Sequence, residues 1–120
     1  MIKWVRYEWQ RLVHRCVWSW QGFSATWIEE PSFRGWVLAN VISAAMTFVL
    51  DLSGGEQALL LAIGMVLLAM ELVNSAIERT IDYISEDIHP LAKAAKDAGS
   101  AAVAVTALGG GMAWLAILFG

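Results

Sequence analysis

Three stretches of this chain carry almost no charge, and this restricts its possible folds more than any other feature. Gly35 to Leu50 reads GWVLANVISAAMTFVL between Arg34 and Asp51, Gln57 to Met70 reads QALLLAIGMVLLAM between Glu56 and Glu71, and Ala98 to Gly120 holds no charged residue. A helix needs about 20 residues to cross the hydrocarbon core of a bilayer, with roughly 17 as the lower limit. Only the third stretch passes unaided. The first two become long enough if polar residues at their ends enter the membrane region, which for the second means continuing through ELVNSAI into ERTIDYI. A soluble domain of 120 residues needs polar cover, because its surface-to-volume ratio is high. Here 58% of residues are hydrophobic and 16% charged, so lipid must solvate part of the surface. The expected fold is an all-α membrane protein, a single domain over residues 1–120. It comprises an N-terminal amphipathic surface helix over 1–30 and transmembrane helices over 33–52, 56–84 and 92–119.

The leader has its own pattern. Val5, Trp9, Leu12, Val13, Cys16, Val17, Trp20 and Trp27 recur at helical spacing, with Arg6, Gln10, Arg11, Arg15, Gln21 and Ser24 largely between them. Six of the seven tryptophans fall in the first 36 residues. Tryptophan favours the headgroup region, so the leader reads as a helix lying on the cytoplasmic leaflet, broken at Pro31 before the first span. A soluble helix packed on a partner protein would share the periodicity. Lys3, Arg6, Glu8, Arg11 and Arg15 leave no uninterrupted apolar run of the kind a cleavable signal peptide needs, and none is expected. The single cysteine, Cys16, excludes an internal disulfide and reads as a packing residue. A net charge of −3 offers no basic footprint for nucleic acid.

Lysine and arginine set the expected orientation. They cluster in the leader (Lys3, Arg6, Arg11, Arg15, Arg34) and in the link between the second and third spans (Arg79, Lys93, Lys96). The loop DLSGGE holds only acids. The leader and the second link are therefore expected on the cytoplasmic side.

The polar residues of the second span carry the chemistry. Around a helix, Glu71, Asn74, Glu78 and Asp82 fall at about 0°, −60°, −20° and +20°, one narrow stripe descending about 16 Å. Glu71 sits nearest the apolar run and hence deepest. An ionisable group at membrane depth is expensive and usually functional. Like charges on one face also repel unless a cation lies between them. Lys93, Lys96, Asp97 and Ser100 form a second group at the entrance to the third span, where lysine could neutralise phosphate or simply mark topology. Glu29 and Glu30 precede Pro31 at the same level as Glu78. Carboxylates and a lysine at one interface suggest magnesium with a nucleotide, since Mg²⁺ takes one or two carboxylates plus substrate phosphates. No Gly-x-x-x-x-Gly-Lys loop or kinase glycine loop is present. His14 and His89 have no thiol cluster beside them, which argues against zinc.

These residues resemble a known family. ELVNSAIERTID, Glu71 to Asp82, resembles the signature of the prokaryotic diacylglycerol kinases. AKDAGSAAV, Ala95 to Val103, is similar to that family's second block, and SWQGFSATWIEEPSFR, Ser19 to Arg34, to its leader. The resemblance runs from about Arg11 to the C-terminus. It implies a homotrimer in the bacterial inner membrane that moves the γ-phosphate of MgATP to the hydroxyl of diacylglycerol, giving phosphatidic acid. By position it implies Glu71 as general base, with Asn74 orienting groups around it, and Glu30 and Glu78 as metal-binding carboxylates. Arg11, Trp18, Glu30, Glu78, Asp87, His89, Lys96 and Asp97 match nucleotide-contacting positions. Arg11, Trp20, Trp27, Arg34, Glu71, Ser100 and Trp114 match lipid-substrate positions.

Two positions depart from the family pattern. Gly35 and Trp36 follow Arg34 where Gln-Glu is common, so an acidic contact to lipid or metal is missing. Trp18 stands where tyrosine is common, and it can stack but offers no hydroxyl. Two rival functions remain: an undecaprenol kinase with the same chemistry, and a non-enzymatic transporter or pore using Glu71 as an ion site.

Overall fold

The computed structural model describes residues 1–120 and consists of four α-helices: α1 (Ile2–Glu29), α2 (Pro31–Val49), α3 (Gly54–Ile84) and α4 (Pro90–Phe119). The last three are long and apolar enough to cross a membrane. Pro31 does more than break the leader. Its fixed φ and missing N–H suit the first helical position, so α2 begins on it rather than after it. At 19 residues, α2 is about 28 Å long and barely spans the hydrocarbon. At 31 residues, α3 is about 46 Å long, so one end must emerge from the hydrocarbon. Its start is fixed by a capping box: Ser53 Oγ accepts from the Glu56 N–H at 3.3 Å, and Glu56 Oε2 accepts from the Ser53 N–H at 2.7 Å.

Helix α3 is the central element, packed against α2 on one side and α4 on the other. The backbones of α2 and α4 do not approach each other; they are joined by a side-chain bond in which Trp114 Nε1 donates to Ser43 Oγ at 2.9 Å. Close approach to α3 depends on absent side chains. Asn40 of α2 lies over Gly64, Asn74 of α3 lies over Gly99, and a Cβ at Gly110 would sit 3.2 Å from Ile63 Cγ2. Of the Gly109–Gly111 run, only Gly110 meets a neighbouring helix; the other two face open space.

A sharp corner separates α1 from α2. Glu30 adopts an extended backbone (φ −113°, ψ 99°), and Phe33, 0% exposed, fills the inside of the turn against Phe23, edge to face at 5.2 Å. Arg34 closes the corner by donating from Nη1 to the carbonyls of Trp27 and Ile28 at 2.8 and 3.1 Å, taking up oxygens that the end of α1 leaves free. The molecule measures 52 × 47 × 23 Å. The second dimension exceeds the width of a three-helix bundle, so α1, about 42 Å long, projects sideways from the spanning helices. Cys16, expected to pack, is exposed because this outer part of α1 touches no other helix.

Only nine of 120 residues are buried. Leu38, Val41 and Ile42 on α2, Met65 and Val66 on α3, and Val105 and Leu108 on α4 all lie on the outside. Such a surface is incompatible with water and natural in lipid. The fold is an all-α membrane protein with an amphipathic helix and three spans.

Candidate active site

Along α3 the four stripe residues divide by depth. Glu71 is 5% exposed, Asn74 and Glu78 are half-buried, and Asp82 is exposed. The helix continues without a break from apolar Leu67 to Ile84, so one rigid element carries both the buried carboxylate and the more exposed ones. Asn74 Nδ2 donates to Glu78 Oε1 at 3.3 Å, while Asn74 Oδ1 is buried and has no partner.

Two further elements converge on Glu71. Glu30, half-buried at the corner between α1 and α2, and Glu78 are both near enough for their charges to act on it, and the Trp36 indole lies beside its carboxylate. The three acids do not close into a cluster able to surround one metal ion. They do present hard oxygens whose mutual repulsion a divalent cation would relieve. Magnesium needs no complete protein cage, only one or two carboxylates with phosphate oxygens and water. Glu30 and Glu78 are the two carboxylates whose charges reach Glu71, and both are of the type such an ion takes. The neighbouring Glu29 is engaged elsewhere, paired with Arg79 at 3.0 Å, which ties α1 to α3.

The water-facing side is built from the α3–α4 link. Lys96 Nζ donates to Asp82 Oδ1 at 2.5 Å, and Lys93 Nζ to Asp97 Oδ2 at 2.5 Å. His89 caps α4, its Nδ1 accepting from the Leu91 N–H at 3.1 Å, and Asp87 donates its backbone N–H to Ser85 Oγ at 3.0 Å. Asp82, Asp87, His89, Lys93, Lys96 and Asp97 share the lining of one open cavity of about 270 Å³. The structure thus brings together four of the eight nucleotide-position residues, Asp87, His89, Lys96 and Asp97.

Other residues lie apart. Arg11 and Trp18 flank a separate groove of about 230 Å³ on α1 with His14 and Arg15. Arg11 stacks over Tyr7 and pairs with Glu8, and α1 makes no contact with α4. Trp20 and Trp27 are exposed on the apolar side of α1, and Arg34 is occupied in the corner. Ser100 faces outward from α4. Trp114 lines an intramembrane cavity of about 150 Å³ with Trp36, Asn40, Ser43 and Gly64, deeper than Glu71.

Three relations were not legible from sequence order. Asp82 as the partner of Lys96, Trp36 as the neighbour of Glu71, and Gly99 as the seat of Asn74 all join different helices, and no periodicity within one helix signals them.

A model of the prokaryotic diacylglycerol kinase family matches residues 17–118. A protein named diacylglycerol kinase from Pseudomonas aeruginosa is 44% identical over 113 residues, covering 92% of this chain and 90% of its own length. The Escherichia coli K12 protein of that name is 33% identical over 109 residues, 91% of this chain and 89% of its own. One from Helicobacter pylori strain 26695 is 36% identical over 93 residues, covering 78% and 73%.

Proposed function

Because the chain belongs to the prokaryotic diacylglycerol kinase family, we propose that this ATP-dependent kinase phosphorylates sn-1,2-diacylglycerol to phosphatidic acid with Glu71 as general base. The lipid hydroxyl oxygen bonds to the γ-phosphorus, the bond from that phosphorus to the β–γ bridging oxygen breaks, and ADP leaves. The hydroxyl proton passes to the Glu71 carboxylate. The observation that carries the assignment is the burial of Glu71. A nearly buried carboxylate heads a stripe that becomes exposed by Asp82, which supports one helix meeting both a lipid hydroxyl and a water-borne nucleotide.

Asn74 orients Glu78, and Glu78 with Glu30 would hold Mg²⁺. Bound there, the ion would neutralise charge on the phosphate oxygens. Lys96 and Asp97, with Asp87 and His89, contact the nucleotide from the link side, and Lys96, held in place by Asp82, turns a remaining N–H to phosphate. Arg11 and Trp18 supply a cation and a stacking surface from α1. On the lipid side, Arg11, Trp20, Trp27, Arg34, Ser100 and Trp114 line the path of diacylglycerol to Glu71. The separation of the α1 groove from the α4 cavity, together with the exposed apolar faces, supports a homotrimer in which neighbouring chains bring the two sides together. The lysine and arginine distribution supports an inner-membrane protein with this site in the cytoplasm.

Family membership removes the transporter or pore reading. Undecaprenol is disfavoured as acceptor by relatives whose names specify diacylglycerol. Labelled ATP supplied with each lipid in detergent distinguishes them: diacylglycerol should yield labelled phosphatidic acid. Glu71→Gln should bind nucleotide and lose roughly 10²- to 10⁴-fold in turnover. Near-normal turnover in that variant would remove the general-base assignment.

A further inference from the structure

We propose that Gly99 is a positioning residue for this reaction: by having no side chain it lets the Asn74 amide lie flat on α4, which aims Nδ2 at Glu78. The inference rests on reading Asn74 and Glu78 as members of the site. Gly99 is buried in the α3–α4 contact. A Cβ built there would strike Asn74 Oδ1 and press within 3.4 Å of Asn74 Cγ and Ile77 Cδ1.

Glycine is not needed at this position for its backbone. No glycine in the chain has a positive φ, and Gly99 sits inside a regular helix, where alanine is the better former. What remains is space. The same helix shows the contrast: Gly109 has nothing within 4 Å of where its Cβ would be.

The amide that occupies this space is held in one orientation. Its nitrogen donates to Glu78, so its oxygen must point towards Gly99, where it is buried without a donor. Reversing the amide would set two oxygens against each other at Glu78. A buried unpaired carbonyl favours any rotation that finds a partner. The fit against Gly99 works against that rotation, and a methyl group there would force it. The carboxylate proposed to hold Mg²⁺ would then lose its only side-chain donor.

Gly99→Ala, Gly109→Ala, Asn74→Ala and Asn74→Ala/Gly99→Ala test this in the purified full chain, assayed with MgATP and diacylglycerol in detergent. Gly99→Ala should lose roughly tenfold to a hundredfold in kcat, as expected for a displacement of about 1 Å, and should need more Mg²⁺ for half-maximal rate. Gly109→Ala should match wild type in both. In the Asn74→Ala background, Gly99→Ala should cost nothing further, because the group it displaces is gone. If Gly99→Ala fails to fold, the double variant must fold and match Asn74→Ala. The inference is overturned if Gly99→Ala matches Gly109→Ala, if it costs the same factor with and without Asn74, or if the double variant also fails to fold. Wild-type turnover in Asn74→Ala removes the site reading and this inference with it, a result separable from the others.

Discussion

Replacing Phe33 by alanine tests the corner that holds α1 to the spanning helices. Truncating a buried phenylalanine costs about 3–5 kcal/mol in a water-soluble core, including about 0.5–1.5 kcal/mol for an edge-to-face pair such as that with Phe23. At a membrane interface, lipid removes part of the transfer penalty but not the cavity or the lost contacts, so about 2–3 kcal/mol is the expected loss. The side-chain link between α1 and α3, Glu29 with Arg79, is 61% and 40% exposed and contributes at most about 1 kcal/mol. Phe33 and the Arg34 hydrogen bonds are therefore the main fastenings, and loss of Phe33 should loosen α1 while α2–α4 stay packed. At about 1.4 kcal/mol per tenfold, the open corner becomes roughly 30- to 140-fold more populated. Trypsin cleavage after Arg34, whose guanidinium is held by the α1 carbonyls, should accelerate by that factor if reclosing outpaces cleavage. Phe33→Leu, closer in volume, should lose under about 1.5 kcal/mol. Lipid kinase activity should fall with corner opening, because Glu30 lies in the same turn. Wild-type protection of Arg34 in Phe33→Ala, or loss of all helices together, would refute the reasoning.

Asp82→Asn should leave thermal stability within about 1 kcal/mol, since the Lys96–Asp82 pair is half-exposed. It should raise KM for ATP several-fold with kcat little changed, because Lys96 is no longer held at the nucleotide cavity; steady-state kinetics across ATP concentrations checks this. Ser43→Ala removes the acceptor for the Trp114 indole and should destabilise the helices by about 0.6–1.7 kcal/mol, read from unfolding in increasing SDS mole fraction. A loss well beyond that range would mean that Ser43 does more than accept this bond.

The four helices were legible in the residue order. Charge-free length and the 3.6-residue repeat are local properties, and a long helix transmits them without distortion. Three spans and one amphipathic leader follow from them. Pro31 breaks the leader as its chemistry dictates and also opens α2, because a proline that ends one helix suits the first position of the next.

Contacts between helices were decided only by tertiary structure. Lys96 meets Asp82 across the link, Trp114 finds Ser43 from 71 positions away, and Cys16 is left exposed because its part of α1 projects beyond the bundle. Gly99 looks like a neutral small residue in an alanine-rich run until Asn74 is seen lying over it. Periodicity says which face of a helix is apolar or polar. It does not say which residue of a neighbour stands opposite, because that depends on the crossing and axial offset of two rigid rods, set by the sum of all their contacts.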